Sequence, residues 1–173
     1  MVIRPNQAPD ERQLAIITEQ LGRAPRGIEA VAATNSQGTP LVLRMAPIVD
    51  DKPFPTLYWL CSDVLKVEIS RIEAVGVIKS LEQRLQDEPE FLAAYRQSHQ
   101  DYVDARWAFM SDAQRQEVER LGYTDVLTER GIGGISNWQQ IRCLHTQYAH
   151  HLCGHNVIGQ WMDTHHGIDQ HIG

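Results

Sequence analysis

Cysteine is scarce in this chain, with three in 173 residues. So small and odd a number excludes a disulfide-built scaffold and fits a reducing compartment. Positive charge is also short: 16 Lys and Arg stand against 22 Asp and Glu, a formal net charge of −6 with histidines neutral. That balance argues against unassisted binding to bulk nucleic acid or to an anionic membrane. No apolar run approaches the ~20 residues needed to cross a bilayer. The opening residues Met1-Val2-Ile3-Arg4-Pro5-Asn6 lack the apolar core of a secretion signal. Internal repeats and low-complexity linkers are missing too. Together these absences predict a cytoplasmic protein with one domain over residues 1–163 and a loose tail over 164–173.

What is present reads first as short strands and then as helices. Leu14, Ile17 and Leu21 fall at helical spacing, and Gly22 ends that helix. Strands are expected over residues 28–33, 41–45 and 57–61, the first two joined by the turn Asn35-Ser36-Gln37-Gly38-Thr39-Pro40. Ser62-Asp63 caps a helix to about Gly76, Val77 to Leu85 forms another, Pro89 starts a long one, and Ser111 caps a further one to Leu121. Strands grouped before helices do not alternate as a doubly wound fold must. The predicted class is α+β, a small three-stranded antiparallel sheet covered by helices.

The densest chemistry lies from Ile141 to His155, which holds two of the three cysteines and four of the eight histidines. The stretch predicts a helix ended by Gly154. Ile141, Leu144, Tyr148 and Leu152 share one face of it, with Cys143, Thr146, Gln147 and His150 opposite. Cys143 and Cys153 would lie about 15 Å apart on that helix, too far for a disulfide. On the long helix, Tyr95, His99 and Tyr102 share a face that reads equally as pocket wall or as core. The loop around Arg23 and Arg26 suits an anion, and Gly131-Ile132-Gly133-Gly134 allows a close backbone approach to a ligand or to another segment.

Several stretches match one pattern in combination. They are Leu21-Gly22-Arg23-x-Pro25-Arg26-Gly27, Pro53-Phe54-Pro55-Thr56, Ile69-Ser70-Arg71-Ile72-Glu73-Ala74-x-Gly76, Arg142-Cys143-Leu144-His145 with Ala149-His150, and Asn156-x-Ile158-Gly159. The chain resembles, over about residues 20–160, a bacterial family catalogued as domain of unknown function family 501. The resemblance implies a single-domain cytoplasmic bacterial protein and no assigned activity. It also implies a departure: many relatives carry a cysteine near the position of Asn35, where this chain has none, and a proline where it has Val157.

The residues leave three readings open. In the first, a hydrolase or transferase acts on a small phosphorylated or anionic substrate through Cys143, His145 and His150, with Arg23, Arg26 and His99 binding the substrate. In the second, a non-catalytic protein binds a phosphorylated metabolite or a protein partner. The third is a metal-binding protein. No metal is expected, with zinc the lesser alternative: on one helix Cys143 and His150 would be about 10.5 Å apart along the axis, and His145 points elsewhere. One convergence is expected: Cys143, His145 or His150 in the same pocket as Arg23 or Arg26.

Overall fold

The computed structural model describes residues 1–173, and its first helix, α1 (Glu11–Leu21), opens under a capping box. Asp10 accepts from the Gln13 amide while the Gln13 side chain accepts from the Asp10 amide. Gly22, at φ 77°, ends the helix in the left-handed conformation. Strands β1 (Ile28–Thr34) and β2 (Pro40–Met45) pair antiparallel, with Val31 opposite Leu43 and Thr34 opposite Pro40. A two-residue hairpin not anticipated from the sequence follows, β3 (Ile48–Val49) with β4 (Lys52–Pro53). Its turn holds Asp50 and Asp51 at φ 51° and 60°, a region Asp tolerates better than most residues. Strand β5 (Tyr58–Leu60) then adds antiparallel to β2, giving the sheet order β1-β2-β5.

The rest is helical: α2 (Asp63–Ala74), α3 (Val77–Asp87), α4 (Pro89–Phe109), α5 (Asp112–Arg120), α6 (Thr124–Glu129), α7 (Leu144–Cys153) and α8 (Val157–His166). Short 3-10 turns lie at Ile132–Gly134 and Ile168–His171. Side-chain caps mark the starts, Ser62 for α2, Ser111 for α5 and Asn156 for α8, and Pro89 sits in the first turn of α4. The architecture is the α+β arrangement that the order of elements predicts. No helix is long and apolar enough to cross a membrane.

Apart from Thr34 and the Glu29–Arg44 pair, the strands of the main sheet are apolar because helices cover it from both ends of the chain. Ile17 of α1 packs with Val31, Leu43, Met45 and Cys61. The larger core joins Leu41, Val42 and Leu60 to Ile69 of α2, Tyr102 of α4, Tyr148 of α7 and Met162 of α8. Each such side chain contributes about 1.5–3 kcal/mol on burial. Residues 164–173, expected as a loose tail, instead complete α8 and the last 3-10 turn; Ile168 is buried and Ile172 packs on the main core.

Candidate functional site

Helix α7 starts later than the sequence suggests. Cys143 is its N-cap, in extended conformation at φ −155° and ψ 127°, so the thiol stands at the mouth of the helix rather than along its side. This follows from what meets the first turn. Lys66, Ser70 and Glu73 fall four and three residues apart on α2, so they share one face, next to the apolar line Leu65, Ile69 and Ile72 that enters the core. That polar face docks on the start of α7. A Glu73 carboxylate oxygen (Oε1) accepts the Leu144 amide at 2.7 Å, a negative charge on a helix N-terminus. The Lys66 carbonyl lies 3.1 Å from His145 Nε2, and Ser70 Oγ lies 3.2 Å from the same atom. A carbonyl only accepts, so Nε2 carries the proton, and in the neutral ring Nδ1 is a bare lone pair.

That lone pair faces two groups. Cys143 Sγ is 3.5 Å from His145 Nδ1, and Glu73 Oε1 is 3.4 Å from it. All three ligand-capable atoms lie within 4.8 Å of one another. Burial pushes the Cys143 thiol up, but when His145 is protonated the hydrogen bond from its Nδ1–H, the Thr146 amide and the imidazolium charge outweigh it and hold the thiol below its ordinary value. The thiol in turn raises His145 against the opposing effect of burial, with help from the Lys66 carbonyl and the Glu73 charge.

Beside this cluster lies a cavity of about 340 Å³, lined by Phe54, Thr56, Tyr58, Trp59, Leu60, Lys66, His145 and Thr146. Cys143 is half-buried behind His145 and Thr146 and is not itself among the lining side chains. A second cleft, of about 520 Å³, holds Arg23, Arg26, Val49 and Asp50 and shares Phe54 and Trp59 with the first. Those two rings stack, with centroids 6.2 Å apart, and form the common wall. Arg26 pairs with Asp50 at 2.9 Å, an exposed ion pair worth little on its own. Thus the histidine cavity and the arginine cleft adjoin across Phe54 and Trp59 without being one pocket.

His150 and His99 stand apart from the cluster. His150 is buried, hydrogen-bonded to Asn156 and stacked on Tyr58, and burial together with the neighbouring histidines lowers it to about 3. His99 is fully buried; its Nδ1 accepts the Ile132 amide, and burial lowers it to about 4. Both rings are neutral core groups, and His99 packs against Trp138 and Tyr95. The close approach of the glycine loop is to the chain itself: Gly133, at φ 77°, fits against Thr146, and Gly134 fits against Pro55. Glu73 is the residue the sequence reading of the site missed. Its signal was the polar line Lys66, Ser70, Glu73 at helical spacing, inside a stretch already recognised as part of the family pattern.

Neither the curated proteins nor the solved structures contain a match to the chain. A family profile described as "Protein of unknown function (DUF501)" matches residues 31–164, which takes in every part of the Glu73–Cys143–His145 cluster. The match covers well over half of the chain, and the protein belongs to that family.

Proposed function

We propose that the protein is a hydrolase or transferase acting on a small phosphorylated or otherwise anionic molecule, with Glu73, Cys143 and His145 as its reactive centre. The observation that carries this reading is the convergence of a carboxylate, a thiol and an imidazole beside a cavity of about 340 Å³. Capping the start of α7 occupies Glu73 but gives neither the thiol nor the imidazole a reason to meet it. The Leu144 amide and the Lys66 carbonyl fix two of them in place, as a reacting group requires. In this reading Arg23 and Arg26 hold the anion across the Phe54–Trp59 wall, with Arg26 exchanging its Asp50 partner for the ligand. Lys66 lines the reactive cavity and adds a third cation.

A second reading, binding without turnover, is favoured by one observation. The arginine cleft is open and separate from the thiol, so it can hold a ligand without bringing it to Cys143. A panel of phosphate esters and anhydrides distinguishes the two, with product release and melting temperature followed together. An enzyme turns over at least one compound. Its His145→Ala variant loses turnover but keeps the ligand-induced rise in melting temperature, while Arg26→Ala reduces that rise. A rise without any turnover decides for binding alone. A rise that survives loss of both arginines removes the anion cleft from the reading.

A further inference from the structure

We infer that Glu73, Cys143 and His145 hold a zinc ion, with the fourth coordination position left to water or substrate. The inference deepens the reading above, since it names the cofactor of the same centre. Its first support is distance. With Zn–S near 2.3 Å and Zn–N and Zn–O of about 2.0–2.2 Å, the ligand atoms of a tetrahedral site lie about 3.3–3.6 Å apart. Sγ to Nδ1 is 3.5 Å, and Nδ1 to the carboxylate oxygen is 3.4 Å. The third pair closes within 4.8 Å.

Direct hydrogen bonding explains the contact of Nδ1 with the carboxylate less well. An N–H···O bond is typically about 2.9–3.0 Å, so 3.4 Å is long. The Nδ1 position has a single in-plane direction and cannot serve the thiol and the carboxylate in two straight bonds at once. A protonated His145 offsets only one of the two negative charges that a carboxylate and a thiolate bring together there. A divalent ion offsets both and uses all three groups.

The surroundings are those of a ligand set held in advance. His145 Nε2 donates to the Lys66 carbonyl, which fixes the ring and leaves Nδ1 as the ligating nitrogen. The Leu144 amide donates to the carboxylate oxygen of Glu73, orienting it toward the same point. A thiolate, an imidazole and a carboxylate together select zinc over magnesium or calcium, which take oxygen ligands only. Three protein ligands beside a cavity are the pattern of a catalytic zinc rather than a structural one. Cys143 and His145 are only two residues apart, and they reach one ion because Cys143 lies outside the helix while His145 lies in its first turn.

The test uses the full untagged chain, stripped of metal with a chelator and then given one metal alone. Zinc should bind at one equivalent. Cobalt(II) in its place should show a thiolate-to-metal charge-transfer band and the strong visible bands of a tetrahedral ion. Cys143→Ser should remove the charge-transfer band, and Glu73→Gln and His145→Gln should each weaken zinc at least about 10-fold. A parallel variant with His165, His166 and His171 changed to Gln should bind zinc as the parent does. Circular dichroism and melting of each metal-free variant separate loss of a ligand from loss of the fold. Absence of a thiolate band in folded parent protein, or unchanged zinc affinity in folded Cys143→Ser, overturns the site. These readouts need no substrate. Zinc bound as described with no turnover of any phosphate compound leaves the site standing and overturns only the proposed activity.

Discussion

Arg106 shows how much a single buried side chain can organise. It is 2% exposed, and the nearby Glu29 pairs with Arg44 rather than with it. Burial accordingly lowers its pKa. What holds it is backbone: the guanidinium donates to the carbonyls of Leu127 and Arg130, at the end of α6, and to that of Pro55. Pro55 lies between Phe54 and Thr56, both of which line the histidine cavity, so the same side chain anchors the cavity wall. Arg106→Met should therefore leave the carbonyls of Pro55 and Arg130 without a donor, and that of Leu127 with Trp107 Nε1 alone, and destabilise the protein by about 3 kcal/mol. Urea unfolding measures this as a lower midpoint at unchanged slope. Arg106→Lys should recover only part of the loss, because one ammonium cannot reproduce the planar fork of donors. A change below about 1 kcal/mol in Arg106→Met would show that water replaces the guanidinium at little cost.

Among the elements, the α7–α8 pair decides how firmly the body of α7 is held. Asp163 of α8 accepts from Tyr148 at 2.7 Å and pairs with His151 at 2.7 Å, both on α7. The helices come this close because Gly159 has no side chain; a Cβ there would overlap the His151 Cβ. Helix backbone is not free to shift as a flexible side-chain end would be. Gly159→Ala is thus expected to destabilise by about 1–3 kcal/mol, despite the better helix propensity of alanine. Calorimetry should show a lower melting temperature for this variant. A rise in its place would mean that propensity outweighs the overlap and that α7 and α8 separate freely.

At the scale of the whole molecule, two neutral histidines buried in the core make stability depend on pH. Burial lowers His99 to about 4 and, with the charges of neighbouring histidines, lowers His150 to about 3. Both titrate near 6.5 when unfolded. Between these values the unfolded chain binds the extra protons, so stability rises with pH. The contribution is complete above about pH 6.5 and is lost progressively as pH falls toward the folded values. Each histidine should add a slope of about 1.4 kcal/mol per pH unit across that window. Unfolding free energies between about pH 5 and 6.5, above most carboxylate titration, test this. His99→Gln should flatten the slope by about half, whatever it does to absolute stability. An unchanged slope would mean that His99 is already accessible to protons in the folded state.

The sequence alone determined the class, because apolar spacing is local: Leu14, Ile17 and Leu21, or the apolar run of residues 57–61, carry their periodicity within a few residues. It also marked Cys143 and His145, because ligand-capable side chains that dense are rare in ordinary composition. It could not say that Cys143 lies outside α7, since a helix start depends on what caps it, and the partner at this one is Glu73, 71 residues away in the chain. Nor could it sort the histidines. His150 and His99 have the same chemistry as His145, and only burial turned them into neutral core groups. The same holds for Arg23 and Arg26, whose cleft meets the histidine cavity because β4, β5 and the segment between them bring Phe54 and Trp59 together as a shared wall. Spacing along the chain governs which face a residue occupies; which faces meet is decided by the burial of Leu65, Ile69 and Ile72, which turns the line Lys66, Ser70, Glu73 toward the thiol.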